Sequence, residues 1–337
     1  MAEKGKILIT LAPKGHKQYT ELFRPEAEAK LKQVGVVIRN PKEEMPPEEM
    51  MSHIEDAVAI IGNQPLPRDL LLKAKNLKVV AEAGGDFQPN IDYETAFKKG
   101  IVILKCGPAF ASAVAEMALS LAIASARNIV KYDKQMKEGT EEWKRLPDDF
   151  ELRGKQVGII GVGAVGRMLI KLLEPFGVHM CACDPWLPQD YMLDVLGVEP
   201  RDLDTILRTS KIIFVLAGVT KENVQMIGAK EIDLIRQGSV LVNVARAKLI
   251  DCNALMKKIE GSDIRVALDV FEDEPLAKDH PLRKLDNVIL TPHRAGGLAE
   301  SYLRIGDYIA NDVSQVLKGF KPVFMEEARK DIISKLF

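Results

Sequence analysis

Residues 156–166 read Gln-Val-Gly-Ile-Ile-Gly-Val-Gly-Ala-Val-Gly, and this stretch limits the possible folds more than any other. Residues 157–160 form an apolar run of the kind found in a strand buried on both faces. Glycines at positions 161, 163 and 166 follow, and residues 167–176 then carry apolar side chains at helical spacing. A strand, a glycine-rich turn and a helix in this order predict the phosphate-binding turn of a dinucleotide-binding α/β domain.

Each glycine has a separate expected role in such a turn. Gly161 should let the chain turn tightly, Gly163 should let a pyrophosphate approach the backbone, and Gly166 should let the helix pack closely on the strand. The first helical residues, Ala164 and Val165, would offer N–H groups and the positive end of the helix dipole to the phosphates.

An acidic residue at the end of the next strand extends this pattern. Residues 178–183 form a second apolar run, and Asp184 follows eighteen residues after Gly166. A carboxylate there accepts hydrogen bonds from a ribose diol and repels a 2′-phosphate, so the sequence favours NAD over NADP. The alternatives are use of NADP despite Asp184, and a plain glycine-rich turn with a solvated aspartate before Pro185.

The composition is that of a globular protein and argues against several classes of function. The 47 Lys and Arg residues nearly balance the 48 Asp and Glu residues, so there is no electrostatic footprint for nucleic acid. We expect no signal peptide, and the most apolar helix, over residues 111–126, is expected to be too short to span a membrane. The four cysteines lack metal-ligand spacing, and Cys181 and Cys183 share one face of a strand, which predicts a reduced, cytoplasmic protein without a bound metal.

With 337 residues the chain has the length of two domains. Strand and helix patterns alternate before residue 110, which predicts one parallel-sheet α/β domain, and they alternate again after the glycine turn, which predicts a second. Strands are expected at 7–11, 36–39, 57–61, 79–83, 101–104, 212–216, 239–244, 264–270 and 288–290. Helices are expected at 19–33, 70–74, 93–98, 111–129, 232–235, 252–259 and 299–317.

Four polar residues are expected to follow strands of the second sheet. Arg246 follows one apolar run, Asp269 and Glu274 close the next, and His293 follows the last. The carboxyl ends of parallel strands meet at one edge, so these side chains should lie on the same edge as the glycine turn. Taken singly, each has a simpler interpretation as a surface cation, a turn cap, a solvated acid or a packed histidine.

Together, these four residues suit hydride-transfer chemistry. His293 can exchange a proton near neutral pH, and Glu274 beside it would raise its pKa and fix its tautomer. Arg246 can hold a substrate carboxylate in a bidentate fork and polarise the adjacent carbonyl. Asp269 could hold the nicotinamide ring or its carboxamide.

Several motifs resemble the D-isomer-specific 2-hydroxyacid dehydrogenase family, which holds the phosphoglycerate, glycerate/hydroxypyruvate and D-lactate dehydrogenases. The motifs lie at residues 114–118, 158–166, 243–251, 267–276 and 291–296. The resemblance implies that Arg246 binds and activates the substrate and that Glu274 and His293 form an acid/base pair. It also implies that Asp269 contacts the nicotinamide.

The same resemblance implies an architecture of two Rossmann-like or flavodoxin-like parallel-sheet domains. Residues 1–110 plus 299–337 would form the substrate-binding domain and residues 111–298 the NAD-binding Rossmann domain, with the active site in the interdomain cleft. Members of the family are expected to be homodimers, with the long helix and the segment around Trp143 at the interface. We also expect Gly84 and Gly85 to bind the substrate carboxylate. The residues Gly218, Thr220 and Ala245 are expected to bind the cofactor.

Some positions depart from the family pattern, and all of them would lie near substrate or nicotinamide. They are Ala247 and Lys248 after the arginine, residues 218–220, residues 105–108, Arg294 after the histidine, and the added residues 87–90. None of these departures removes Arg246, Glu274 or His293, so they bear on the identity of the substrate rather than on the reaction.

The loop at residues 62–65 reads Gly-Asn-Gln-Pro and is neutral where phosphate-handling members of the family carry arginine. This favours a small polar acid such as glyoxylate or hydroxypyruvate, although Lys105, Lys248 and Arg294 could supply charge from elsewhere. The predicted function is an NAD-dependent D-2-hydroxyacid dehydrogenase acting as a 2-oxoacid reductase. The alternatives are a phosphoglycerate-type dehydrogenase and a non-catalytic NAD(H)-sensing protein of the corepressor type.

Overall fold

The computed structural model describes residues 5–11, 22–40, 43–141, 143 and 148–337. The chain divides into two compact units, of which the first comprises Met1–Phe110 with Gly297–Phe337 and the second comprises Ala111–Gly296. Each unit is built on its own sheet, and nearly all strand pairs are parallel. The predicted fold class of two parallel-sheet α/β domains is confirmed.

The first unit contains a six-stranded sheet. Its strands are β1 (Lys6–Ile9), β2 (Val36–Arg39), β3 (Ala57–Ile61), β4 (Val79–Glu82), β5 (Val102–Lys105) and β13 (Glu326–Glu327). Their order across the sheet is β13-β5-β4-β3-β1-β2, and only β13 is antiparallel to its neighbour. The helices of this unit are α1 (Pro25–Val34), α2 (Pro47–His53), α3 (Arg68–Lys73), α4 (Tyr93–Lys98), α11 (Ala299–Leu317) and α12 (Lys330–Leu336).

Alternate residues of these strands face opposite layers of helices. On β1, Ile7 and Ile9 belong to an apolar cluster that includes Ile305 of α11, whereas Leu8 belongs to a second cluster that includes Leu71 of α3. Because helices cover both faces, the strands are apolar almost throughout, and this explains why they read as continuous runs in the sequence.

The second unit contains a seven-stranded, fully parallel sheet. Its strands are β6 (Gln156–Ile160), β7 (His179–Cys183), β8 (Glu199–Pro200), β9 (Ile212–Val215), β10 (Val240–Asn243), β11 (Arg265–Leu268) and β12 (Val288–Leu290). Their order is β12-β11-β10-β9-β6-β7-β8, so the chain reverses direction across the sheet between β6 and β9. This switch point is where ligands bind in such sheets. The helices are α5 (Ala111–Ala126), α6 (Ile129–Glu138), α7 (Ala164–Leu173), α8 (Leu203–Thr209), α9 (Ala229–Leu234) and α10 (Cys252–Glu260).

Several helical predictions differ from the structure. The single helix expected over 111–129 is interrupted at Asn128, whose φ of 49° is left-handed and whose amide donates to Asp149 at 2.5 Å. The helix expected from residue 19 begins at Pro25, while residues 19–21 lie outside the described residues. The helix expected over 167–176 begins three residues earlier, and the patterns do not predict the short helices α2 and α8.

The prediction that the most apolar helix is too short to cross a membrane is wrong on length. With the helical turn that precedes it, Gly107–Ala126 covers 20 residues with a mean hydropathy of 1.6, and 50% of that window is buried inside the protein. The buried side chains of α5 are mostly alanines, and small side chains let the helix lie close to α7 and β10.

Candidate active site

The turn between β6 and α7 has the predicted tight geometry. Gly161 adopts a φ of 96°, and a Cβ at this position would lie 2.5 Å from the backbone of Ala217. A Cβ on Gly166 would lie 2.5 Å from the carbonyl oxygen of Gly161. The fold itself therefore requires glycine at the first and third positions of the motif.

Gly163 differs from these two because the fold does not demand glycine there. Its φ is −68°, and a Cβ would meet no atom within 4 Å. Gly163 is the N-cap residue of α7, and no side chain caps this helix. The N–H groups of the first turn, which includes Ala164 and Val165, can therefore donate hydrogen bonds to a phosphate in the open space at Gly163.

Asp184 follows β7 and orients the glycine turn from the neighbouring strand. One oxygen of its carboxylate accepts the N–H of Val162 at 2.8 Å, and the other accepts the N–H of Trp186 at 2.9 Å. Because a carboxylate has about four acceptor positions, Asp184 retains capacity for a ribose diol. The open glycine position, the uncapped helix and this acid fit an NAD molecule.

Two asparagines shape the turns after β9 and β10. Asn223 accepts the N–H of Thr220 at 2.7 Å and donates to the carbonyl of Gly218 at 2.7 Å. Asn243 accepts the N–H of Ala245 at 3.0 Å. The predicted cofactor residues Gly218, Thr220 and Ala245 thus lie in turns held by side chains that sequence analysis missed. The sequence offers a signal for one of them, because Asn243 is the last residue of a strand, where an asparagine side chain commonly closes a turn.

His293 and Glu274 form a direct pair. Nδ1 of His293 lies 2.7 Å from Oε2 of Glu274, and the other oxygen of Glu274 accepts the N–H of Phe271 at 3.0 Å. Engagement of Nδ1 leaves Nε2 as the nitrogen that can exchange a proton with a ligand. His293 has a left-handed φ of 51°, and backbone strain of this kind concentrates at functional sites.

Arg246 follows β10 and contributes to the electrostatics of this pair. Its Nη1 donates to the carbonyl of Ala245 at 2.6 Å. Partial burial raises the pKa of the Glu274 carboxyl, but the hydrogen bonds from His293 and the Phe271 backbone, with the charges of His293 and Arg246, outweigh it. The pKa of Glu274 is therefore held below its ordinary value, and Arg246, Glu274 and His293 come together at one edge of the sheet.

Asp269 is fully buried, and its contacts lie within the protein. One oxygen accepts the hydroxyl of Thr291 at 2.6 Å and the N–H of Arg294 at 2.9 Å, and the other accepts the N–H of Ala295 at 2.9 Å. These three donors flank His293, so Asp269 fixes the turn that carries the imidazole. The sequence assigns Asp269 to the nicotinamide; that contact stays a prediction, whereas its role in holding the turn is not apparent from the sequence.

In the first unit, Gly84 and Gly85 follow β4. A Cβ at either position would make only ordinary contacts, with the nearest atoms 3.8 Å away, and neither residue has a left-handed φ. The fold therefore does not require glycine at these two positions. Open backbone after the carboxyl end of a parallel strand is suited to bringing N–H groups to a ligand.

Residues 119–295 match the model of the NAD-binding domain of the D-isomer specific 2-hydroxyacid dehydrogenases. The chain belongs to this family. The matched segment contains the glycine turn, Asp184, Arg246, Glu274 and His293. The resemblance drawn from the sequence is confirmed. The match to the NAD-binding domain of the family identifies NAD as the cofactor.

Relatives in this family carry different names. The D-3-phosphoglycerate dehydrogenase of Methanocaldococcus jannaschii is 36% identical over 276 residues, covering 81% of this chain and 52% of that protein. The chain thus spans about half the length of this relative and of the Archaeoglobus fulgidus enzyme of the same name, where it covers 50%. The glyoxylate reductase of Thermofilum pendens is 33% identical, covering 87% of this chain and 88% of that one.

A solved structure supports the same family. A phosphoglycerate oxidoreductase from Rhizobium etli is similar to this chain with a TM-score of 0.82 and 32% identity. The similarity covers 97% of this chain and 99% of that one, so both units have counterparts in a member of known structure.

Proposed function

We propose that this chain is an NAD-dependent D-2-hydroxyacid dehydrogenase that acts as a 2-oxoacid reductase. The observation that carries the proposal is the 2.7 Å contact between His293 and Glu274, with Arg246 close enough to lower the pKa of that glutamate. Bound NADH would supply the hydride for the carbonyl carbon, so the protein has to supply a proton to the carbonyl oxygen.

The three residues divide this work. Arg246 binds the carboxylate of the substrate and polarises the neighbouring carbonyl. His293 donates the proton that converts the carbonyl oxygen into a hydroxyl, and in the reverse direction it takes this proton back. Glu274 stabilises the imidazolium and holds the ring in the orientation that presents Nε2. The balance is one 2-oxoacid, one NADH and one proton giving one 2-hydroxyacid and one NAD.

Two further sets of residues complete the proposal. Gly84 and Gly85 are proposed to present backbone N–H groups to the substrate carboxylate. The open backbone at these positions, where the fold does not require glycine, supports this role. Gly218, Thr220 and Ala245 line the cofactor at the carboxyl edge of the second sheet, and Asp269 is proposed as the nicotinamide contact.

The substrate is proposed to be a small polar acid such as glyoxylate or hydroxypyruvate. The neutral loop at residues 62–65 supports this, since a phosphorylated acid needs cations that this loop lacks. Several relatives are named glyoxylate reductases, and one is named a hydroxypyruvate reductase. Other relatives are named phosphoglycerate dehydrogenases, so phosphoglycerate-type substrates belong in the test.

A panel of 2-oxoacids, followed by the loss of NADH absorbance, tests both the activity and the substrate. We expect kcat/KM to be highest for glyoxylate or hydroxypyruvate. A preference for a phosphorylated acid would overturn the substrate assignment, and no turnover with any oxoacid would overturn the reaction. The same panel run with NADPH tests the choice of cofactor that Asp184 predicts.

The quaternary structure and location are also proposals. We propose a cytoplasmic homodimer, with α5, α6 and the segment around Trp143 at the interface. Apolar side chains that are at least half exposed support this surface: Ile129, Val130, Met136 and Trp143. Analytical ultracentrifugation of the wild type and of Trp143→Ser distinguishes a dimer that depends on this surface from a monomer.

A further inference from the structure

Glu82 is a buried carboxyl without a hydrogen-bond partner. It is the last residue of β4, it is 1% exposed, and neither of its oxygens has a partner among the described residues. Gly84 and Gly85 follow it by two and three positions. An unpaired carboxyl is costly to bury, and more costly when it is ionised, so its place immediately before this turn calls for a physical role.

The natural partner of Glu82 is engaged elsewhere. Lys105 on β5 is its cross-strand neighbour. The Nζ of Lys105 instead pairs with Glu326 of β13 at 2.8 Å and lies 4.9 Å from the centre of the Phe87 ring. Lys105 therefore acts on Glu82 only through its charge, and that charge is shared with Glu326.

The other groups that face Glu82 do not neutralise it. Asp86 in the following loop carries a like charge, Tyr93 of α4 donates its hydroxyl to the Gln88 carbonyl at 2.9 Å, and Cys106 is a buried thiol. Burial raises the pKa of Glu82 to about 7, against the opposing effects of the nearby Gln88 N–H, which does not reach hydrogen-bond geometry with the carboxyl, and of the Lys105 charge. The Glu82 carboxyl consequently changes charge near neutral pH.

The turn that follows Glu82 is anchored on both sides. The N–H of Ala83 donates to Asn63 at 3.1 Å, and the carbonyl of Gly84 accepts the N–H of Cys106 at 2.9 Å. A charge that appears on Glu82 therefore acts on a backbone segment held between the ends of β3 and β5.

We propose that Glu82 is a positioning residue that couples the affinity of the Gly84-Gly85 turn for the substrate carboxylate to the charge on one buried side chain. In its neutral form, Glu82 leaves the N–H groups of the turn to the substrate. In its ionised form it attracts those N–H groups and repels the substrate carboxylate, so binding weakens. This inference rests on the proposed function of Gly84 and Gly85.

The experiment measures KM for the preferred 2-oxoacid and kcat at saturating NADH between pH 6 and pH 8. It compares the wild type with Glu82→Gln, which keeps the shape of the neutral acid, and with Glu94→Gln, which removes an exposed carboxylate from α4. If only the neutral form of Glu82 permits substrate binding, the ratio of the wild-type KM to the KM of Glu82→Gln should rise about tenfold between pH 6 and pH 8. Glu94→Gln should follow the wild type.

All three proteins keep Arg246, Glu274 and His293 unchanged, so the ratio of KM values isolates Glu82. A wild-type KM that follows Glu82→Gln at every pH would overturn the proposal, and so would a pH effect confined to kcat. Turnover of no oxoacid would refute the proposed function instead. In that case the melting temperatures of the same variants still test the titration of Glu82. Glu82→Gln should become more stable relative to the wild type as pH rises. A difference in melting temperature between these two proteins that is the same at pH 5 and pH 8 would count against a buried Glu82 that is neutral at the lower pH.

Discussion

The hydroxyl of Thr291 donates to the buried carboxylate of Asp269 at 2.6 Å, and the same carboxylate accepts the backbone N–H groups of Arg294 and Ala295. This one side chain holds both ends of the turn in which His293 adopts its left-handed φ. The position of the imidazole therefore depends on a residue of the preceding strand end, 24 positions earlier in the chain.

Asp269→Ala should lower both stability and turnover. Loss of the carboxylate leaves buried donors without partners, which costs about 1–3 kcal/mol of unfolding free energy, and it releases the turn that carries His293. Urea denaturation and kcat measure the two effects. Asp279→Ala, at an exposed position, serves as the control and should change stability by less than about 0.5 kcal/mol. Equal stability of the two variants would contradict the role assigned to Asp269.

The second and third glycines of the motif should respond differently to alanine. Gly166→Ala places a Cβ 2.5 Å from the Gly161 carbonyl oxygen and should cost about 1–3 kcal/mol of stability. Gly163→Ala meets no protein atom, so its cost should stay below about 1 kcal/mol, but the added methyl group occupies the space proposed for the pyrophosphate.

NADH fluorescence titration and thermal melting separate these two variants. Loss of one phosphate contact by Gly163→Ala should weaken NADH binding about tenfold or more while the melting temperature stays close to that of the wild type. Unchanged NADH affinity in this variant would place the pyrophosphate elsewhere.

The sequence predicts the glycine turn well because two of its requirements are local. The φ of 96° at Gly161 and the close approach of Gly166 to the Gly161 carbonyl oxygen follow from the spacing of the motif, whereas the close approach of Ala217 to Gly161 does not. The convergence of Arg246, Glu274 and His293 is also predictable, since the carboxyl ends of parallel strands share one edge.

Features set by contacts far apart in the chain are not predictable in this way. The break at Asn128 depends on Asp149, which lies 21 residues away. The buried role of Asp269 depends on the turn after another strand, and the isolation of Glu82 depends on Glu326 drawing Lys105 away. Each of these outcomes requires knowing which distant segments of the chain are neighbours, and the residue pattern along one segment does not contain that information.

Glu82 should make the protein less stable as pH rises. Its pKa in the folded protein is about 7, above the ordinary value of 4.5 for a glutamate, so the folded state binds more protons than the unfolded state between these two pH values. Stability therefore falls as pH increases from about 4.5 to about 7, by about 3 kcal/mol. Urea denaturation of the wild type and Glu82→Gln at pH 5 and pH 8 measures this loss, and a constant difference between the two proteins would contradict it.

Glu274→Gln should lower the turnover of reduction. Glutamine keeps a hydrogen bond to Nδ1 of His293 but removes the charge that stabilises the imidazolium, so kcat should fall by a factor of about 10 or more. Glu272→Gln, in the same loop and exposed, is the matched control and should keep the wild-type kcat. Equal kcat values for the two variants would separate Glu274 from proton transfer.

The most direct test of the account is the turnover of His293→Ala with the preferred 2-oxoacid, measured beside the dissociation constant of NADH. Removal of the proposed proton donor should lower kcat by a factor of about 100 to 10,000, while NADH, proposed to be held by the glycine turn and Asp184, should bind as in the wild type. A variant that binds NADH and reduces the oxoacid at the wild-type rate would contradict the central claim that His293 supplies the proton.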